Sequence, residues 1–338
     1  MIVEMRKGAP RQEVDDVVQK AKSLGLDVQL NLGTDKTVVA LLGSNTGQIP
    51  TDIFAVLPGV ASVTRIMKPY KLASREFRPR STIVDCGGVK IGGKTIVVMA
   101  GPCAVENEDQ LMQAAAAVKK AGARILRGGA FKPRTSPFNF QGLQEKGLEI
   151  LAKARQEMDI PIVTEVVNPQ DVELVASYAD MLQIGSRNMQ NYALLTAAGK
   201  AGKPVVLKRG FSCTITEWLL AADYLLAEGG NNTVLCERGI RTFEDSIRFS
   251  LDITAIPVLK RNSHLPVIVD PSHAAGHYTL VPAIAKAAVA AGADGLIIEV
   301  HPNPKEALVD GLQSLSPSDF TRLMDELRTI AVSIGRSI

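Results

Sequence analysis

The stretch TIVVMAGPCAVENEDQLMQAAAAVKKAGARILRGG, residues 95–129, decides the fold. Its opening run, TIVVMAG, is almost wholly apolar, as a strand buried on both faces must be. DQLMQAAAAVKKAG then sets apolar residues at helical spacing and stops at Gly122, a residue type that closes helix C-termini. ARILRGG follows as a second short apolar run. Strand, helix and strand in this order make a parallel βαβ unit, because parallel neighbours need a crossover connection.

The alternation continues downstream. PIVTEV, MLQIGS, PVVLKRG, TVLCERG, LPVIVDPS and DGLIIEV read as further strands. Between them lie helical patterns such as DVELVASYA, TEWLLAADYLLAEGG and LVPAIAKAAVAAGA, and the final helix is SPSDFTRLMDELRTIAVSI, opened by Ser and Pro. Eight βα units in about 240 residues predict an α/β fold of the TIM (β/α)8 class, ahead of a doubly wound sheet, which usually has fewer units. Just upstream, TIVDCGGVKIGGKT has the glycine-turned pattern of a hairpin suited to plug the barrel's lower end, so the barrel domain is placed at residues 83–338.

Residues 1–67 read as a separate α+β unit. IVEM is a strand, PRQEVDDVVQKAKSLG an amphipathic helix, DVQLNL and TVVALLG two strands around a GTD turn, IPTDIFAVL a second helix and VASVTRIM a last strand. The order βαββαβ is ferredoxin-like. RNA-recognition domains share it, but they stack bases on aromatics of the sheet. Here Phe54 is the only aromatic before Tyr70 and falls in the second helix. The polar, proline-punctuated KPYKLASREFRPRST, residues 68–82, is the expected linker.

The composition, 46% hydrophobic and 22% charged with net charge +3, is that of a soluble globular protein. Lys and Arg are spread along the chain in no block, which argues against a nucleic-acid-binding face. MIVEMRKGAP has only a short apolar start, and no uncharged run reaches the roughly 18 residues of a membrane span. A cytoplasmic location is expected. Cys86, Cys103, Cys213 and Cys236 form no CxxC pair, so reduced thiols are expected rather than a zinc ribbon or a disulfide scaffold.

TIM-barrel active sites are built at the carboxyl ends of the strands. Those ends carry Arg127 with Lys132 and Arg134, then Arg187, Lys208 with Arg209, and Arg238. A lone cation at a strand end is ordinarily a solvated charge or the partner of a helix acid. Several converging on one mouth repel one another unless an anion sits among them. Arg matches phosphate or carboxylate oxygens in pairs, and a phosphate monoester carries about −1.5 to −2 at neutral pH, so two phosphorylated ligands are expected. The segment 124–142 offers three cations and no acid, as if its counter-charge arrived with the substrate.

A second constellation, Cys103, His273, Glu299 and Asp310, comes from the ends of strands 1, 7 and 8 and the loop after strand 8, which are consecutive around a closed barrel. Sulfur, imidazole and two carboxylates suit one divalent metal ion of intermediate softness, Mn, Fe, Co or Zn. Spacing alone equally fits a buried Cys, a hydrogen-bonded His and two loop acids. His277 is a possible substitute or supporting group, His301 is able to reach the mouth, and His264, at the start of strand 7, is given no role.

Seven ordered blocks carry a resemblance over nearly all of residues 69–330: GPCAVE, RGGAFKPRTSPFNFQG, QIGSRN, LKRGF, CERGIRTF, DPSHAAG and EVHPNP with the following DGLQSL. They resemble 3-deoxy-D-arabino-heptulosonate 7-phosphate (DAHP) synthases, in the microbial subgroup related to 3-deoxy-octulosonate 8-phosphate (KDO8P) synthase. The resemblance implies a transferase that condenses phosphoenolpyruvate with erythrose 4-phosphate, the first step of the shikimate pathway towards aromatic amino acids. It implies that Arg127, Lys132, Arg187, Lys208 and Arg238 hold phosphoenolpyruvate, that Pro133, Arg134 and Thr135 receive erythrose 4-phosphate, and that Cys103, His273, Glu299 and Asp310 ligate the metal. Lys132, Cys103 and His273 are the candidate catalytic residues, Lys132 as a carrier of a proton.

KDO8P synthases have a KANRS-like sequence where this chain has KPRTS, which favours the four-carbon aldose phosphate. The amino-terminal unit resembles the regulatory domain of some DAHP synthases, which implies a tyrosine or phenylalanine effector. A homotetramer or homodimer is the expected assembly. The alternatives are a KDO8P synthase using arabinose 5-phosphate, a Schiff-base aldolase acting through Lys208, and a non-catalytic sensor of phosphorylated metabolites.

Overall fold

The computed structural model describes residues 1–32, 37–43, 46–65, 68–229 and 232–338. The GTD turn at 33–35, the last two residues of the strand read at 60–67 and the final Gly230 of the helix read at 216–230 lie outside the described residues. Contacts divide the chain into two compact units, Met1–Arg80 and Ser81–Ile338. No helix among the described residues is long and apolar enough to cross a membrane.

In the first unit β1 (Ile2–Met5), α1 (Arg11–Ser23), β2 (Asp27–Leu32), β3 (Thr37–Leu42), α2 (Asp52–Ala55) and β4 (Val60–Thr64) build a ferredoxin-like sheet in the order β2-β3-β1-β4. The first helix forms where Val14, Val17 and Ala21 recur at steps of three and four, all buried. Glu13 in its first turn and Lys20 and Lys22 in its last oppose the helix dipole. Val3 and Met5 of β1, with Met1 just ahead of it, alternate into the same core, which also takes Phe54 from α2. With Phe54 inside, it is not displayed on the sheet, where an RNA base would need it.

The second unit starts with a hairpin of β5 (Val84–Cys86) and β6 (Val89–Ile91). There follow β7 (Val97–Gly101), α3 (Glu108–Ala121), β8 (Ile125–Arg127), α4 (Glu145–Met158), β9 (Ile162–Glu165) and α5 (Val172–Tyr178). Next come β10 (Met181–Ile184), α6 (Tyr192–Lys200), β11 (Val205–Lys208), α7 (Ile215–Ala227), β12 (Thr233–Glu237) and α8 (Ala255–Asn262). The last part is β13 (Val267–Val269), α9 (Pro271–Ala275), α10 (Val281–Ala290), β14 (Gly295–Glu299) and α11 (Pro317–Ser333). Strands β7 to β14 are parallel and close on themselves, β14 pairing β7 with Gly295 opposite Val97.

Local signals set these boundaries. Asn107 caps α3 by accepting the Gln110 N–H, Gly122 ends it in the left-handed conformation, and Thr214 with Glu217 forms a capping box on α7.

The barrel interior explains where the site is. Val97, Met99, Ile125, Val163, Met181, Val206, Val234, Cys236, Ile268 and Ile297 form one buried cluster, completed by Val84, Cys86, Val89 and Ile91 of the hairpin. The hairpin sits against the residues that precede the strands, Gly87 facing Pro161 and Gly92 facing Pro266, so it seals the amino-terminal end.

Side chains two residues apart on a strand point the same way. Two residues beyond the uppermost members of that cluster stand Gly101, Arg127, Glu165, Gln183, Lys208, Arg238, Asp270 and Glu299, every one buried. Within one step of about 7 Å the interior changes from hydrocarbon to a ring of charge.

Candidate active site

Above this ring lies a cavity of about 670 Å³. It is lined by all five residues expected to hold phosphoenolpyruvate, Arg127, Lys132, Arg187, Lys208 and Arg238, and by the three expected to meet the aldose phosphate, Pro133, Arg134 and Thr135. The two sets touch: Arg187 donates to Thr135 Oγ1 at 3.4 Å. Sequence reading missed Glu165, Gln183, Phe211, Arg241, Arg248 and Phe249, which also line the cavity. Glu165 accepts from Gln183 Nε2 at 3.2 Å, and a Cβ at Gly185 would lie 2.0 Å from its Oε1, so a larger residue there would push that carboxylate out of its place.

The cations are not all without counter-charge, and here the sequence expectation is corrected. Arg127 donates to Glu299 Oε1 at 2.9 Å, and Lys208 lies 2.5 Å from Asp270 Oδ2, both pairs buried. The acids come from strands at distant sequence positions, so the local absence of an acid around 124–142 was not an absence in space. Arg209 is not a mouth cation: it is one position out of phase with Lys208, pairs with Glu237 at 2.8 Å and Asp252 at 3.0 Å, and lies over Trp218 of α7. Among the described residues Lys132, Arg134, Arg187, Arg238 and Arg241 line the cavity with no carboxylate in ion-pair range. These five carry the uncompensated charge.

The second constellation also assembles. One donor atom from each of Cys103, His273, Glu299 and Asp310 lies within 4.8 Å of all the others. The Cys103 thiol donates to Asp310 Oδ2 at 3.3 Å, and His273 Nε2 is 3.5 Å from Glu299 and 3.8 Å from Asp310. Neighbours aim the donors. Asp270 caps α9 through the His273 N–H at 2.9 Å and places Oδ2 2.8 Å from Nδ1, so Nε2 faces the other three.

Gln313 donates to Glu299 Oε2 at 2.7 Å, and Arg248 donates to Asp310 Oδ1 at 3.2 Å. Asp310 adopts the left-handed conformation, φ 54°, uncommon outside glycine and tolerated by Asp.

Three of the four protonation states suit a metal as they stand, and Cys103 would release its proton on binding one. Burial lowers the His273 pKa, against the pull of Asp270 and Glu299, which favours the neutral imidazole a ligand must be. Burial raises those of Glu299 and Asp310, but His273 together with Arg127 for Glu299, and with Arg248 for Asp310, more than reverses it; Asp310 falls to about 2. Burial and the Glu299 charge push the Cys103 thiol up, with Lys132 Nζ opposing them from 3.2 Å. A soft sulfur, an imidazole and two ionised carboxylates close enough together to surround one ion fit Mn, Fe, Co or Zn.

The other histidines stay outside the cluster. The helix that carries His273 ends at Ala275, Gly276 turns the chain at φ 71°, and His277 bonds Thr279 instead, so it is no substitute ligand. His301 is buried 3.5 Å from Glu106, and His264 bonds Thr82 at the sealed end. All four cysteines are free thiols.

A closed barrel whose mouth sets uncompensated arginines beside a sulfur, nitrogen and oxygen donor cluster defines a (β/α)8 enzyme for strongly anionic substrates. The chain belongs to the DAHP synthetase I family, which it matches over residues 61–333, and its residues 1–68 match the DAHP synthase ferredoxin-like domain. It is 47% identical over 335 residues to the phospho-2-dehydro-3-deoxyheptonate aldolase of Thermotoga maritima, covering 99% of each chain. A crystal structure of that Thermotoga maritima enzyme, also titled a DAHP synthase, superposes with a TM-score of 0.79 at 46% identity over 99% of this chain and 98% of that one. A 2-dehydro-3-deoxyphosphooctonate aldolase of a Geobacter species is 30% identical over 272 residues, 75% of this chain and 98% of the relative.

Proposed function

We propose that the chain condenses phosphoenolpyruvate with erythrose 4-phosphate to give DAHP and inorganic phosphate, the first step of the shikimate pathway. The observation that carries this is the meeting of the KPRT segment, the unpaired Arg187 and Arg238 and the Cys103 donor cluster at one cavity. Arg127, Arg187, Lys208 and Arg238 bind the phosphate and carboxylate of phosphoenolpyruvate, while Arg134 and Thr135 bind the aldose phosphate across the Arg187 contact. Holding the two reactants in register converts a bimolecular encounter into a positioned one, a large share of the barrier. The new bond joins C3 of phosphoenolpyruvate to the aldehyde carbon, water adds at C2, and phosphate leaves. Lys132, whose Nζ reaches both Cys103 Sγ and the Cys103 carbonyl, holds the proton passed to the forming hydroxyl.

A divalent ion bound by Cys103, His273, Glu299 and Asp310 would supply Lewis acidity towards the aldehyde oxygen. A sensor has no use for so complete a donor set. The imine alternative is disfavoured because Lys208 Nζ is taken up in a buried pair with Asp270 at 2.5 Å, whereas Schiff-base chemistry needs an amine free to attack a carbonyl. KPRTS, and the higher identity and coverage of the Thermotoga maritima relative over the octonate one, support erythrose 4-phosphate over arabinose 5-phosphate. The amino-terminal ferredoxin-like unit supports feedback by tyrosine or phenylalanine, and a cytoplasmic location goes with these substrates.

One assay tests the reading: phosphate release from phosphoenolpyruvate with either aldose phosphate, repeated with tyrosine and phenylalanine. Turnover with erythrose 4-phosphate, suppressed by one of the two amino acids, is expected. Preference for arabinose 5-phosphate, or no turnover with either, overturns it.

A further inference from the structure

We propose that Phe211 and Phe249 are positioning residues that hold the Arg238 guanidinium for phosphate by presenting aromatic faces where a carboxylate would otherwise stand. The proposal rests on the assignment of the cavity to phosphoenolpyruvate and adds how the most buried of its uncompensated arginines is held.

Arg238 is 3% exposed, and its buried Nη1 has no hydrogen-bond partner among the described residues. Burial lowers its pKa to about 10, so it is still charged at neutral pH. Its guanidinium carbon lies 4.0 Å from the Phe249 ring centre and 4.9 Å from that of Phe211. The two rings are 5.1 Å apart and within 7° of parallel. Arg187 and Arg241 lie 5.5 Å and 5.6 Å from the Phe211 ring, and Arg248 lies 5.9 Å from that of Phe249. Two phenyl rings are thus shared by four arginines.

A carboxylate in their place would cancel the charge and occupy the N–H fork. A ring face attracts the cation through its quadrupole and takes no hydrogen bond from the fork, which stays free for an incoming anion. Arg127 and Lys208, which do have carboxylates, show the other arrangement in the same barrel.

The rings are held by backbone as well as packing. Phe249 N–H donates to the Ala274 carbonyl, next to His273, and the Arg241 N–H donates to the Phe211 carbonyl. A Cβ on Gly239, where φ is +88°, would come within 2.7 Å of the Phe249 Cβ, so the glycine makes the space this ring fills.

The test compares Phe249→Leu, Phe249→Tyr and a fluorinated phenylalanine incorporated at position 249, each titrated calorimetrically with phosphoenolpyruvate and with inorganic phosphate. Phe249→Leu is expected to weaken phosphoenolpyruvate binding and raise its KM roughly tenfold, the scale of a desolvated cation–aromatic contact. The KM for erythrose 4-phosphate stays within about twofold, Phe249→Tyr stays near the parent, and the fluorinated ring falls between. Equal binding by the parent and Phe249→Leu, or equal loss in Phe249→Leu and Phe249→Tyr, overturns the proposal in favour of plain packing. If Phe249→Leu does not fold, the tyrosine and fluorinated variants decide it, because ring shape is kept while the quadrupole changes. A parent that binds inorganic phosphate but not phosphoenolpyruvate refutes the substrate assignment alone, and the variants are then ranked on inorganic phosphate; a parent that binds neither refutes both.

Discussion

Asp270 is the acid on which the cavity's electrostatics turn, and Asp270→Asn isolates its charge. The side chain is fully buried, 2.5 Å from Lys208 Nζ and 2.8 Å from His273 Nδ1, while its other oxygen caps α9. Asn keeps the shape and still accepts the His273 N–H, so the cap contribution of about 1 kcal/mol is retained. What is lost is the counter-charge of Lys208, itself only 4% exposed. Removing one partner of a buried pair costs about 3–5 kcal/mol, because the other charge is left uncompensated.

The lower end is expected, since Lys208 lines the open cavity and regains some water. Urea unfolding followed by the fluorescence of Trp218 measures it. That residue is the chain's single tryptophan, and its indole N–H donates to Leu207, beside Lys208, so the signal reports the barrel alone. Adding Lys208→Met to Asp270→Asn removes the orphaned charge and is expected to recover more than half of the loss. A loss below about 1 kcal/mol, or a double variant no more stable than Asp270→Asn, refutes the assignment of Asp270 as the counter-charge.

Three further outcomes follow from the same geometry. EDTA is expected to abolish phosphate release, with recovery on adding manganese, cobalt or zinc, and Cys103→Ala to bind zinc at least tenfold more weakly by competition with a chromogenic chelator. Gly185→Ala drives a methyl into the Glu165 carboxylate and is expected to lower kcat/KM at least tenfold while the circular dichroism spectrum is unchanged. Ile91→Ala opens a hole in the hairpin seal and is expected to cost the barrel about 2–5 kcal/mol in the Trp218 unfolding assay, far from any substrate contact.

The barrel was legible because parallel strands buried on both faces read as unbroken apolar runs, and the hairpin because Val84, Cys86, Val89 and Ile91 alternate with exposed residues. The four donors were legible as residue types at strand ends once closure made strands 1, 7 and 8 neighbours. The acids paired with the cations were not: Arg127 and Glu299 are 172 positions apart, and no local pattern reports a contact made by barrel closure. Phe211 and Phe249 were hidden for another reason, since half-buried aromatics in loops have no period to betray them.

Arg209 is the instructive failure, because the information was present. Lys208 ends β11 and Arg209 follows it directly, yet the period of two carried one residue further sends them to opposite faces, one to the cavity and one to the helix layer. The same period that places Val206 in the hydrocarbon layer places Lys208 above it. Shifting β11 by one residue would therefore bring Arg209 to the cavity in place of Lys208 and force the larger Leu207 into the place of Val206 in a packed layer. The core and the site are two readings of one register, so a substitution that slips the strand must damage both.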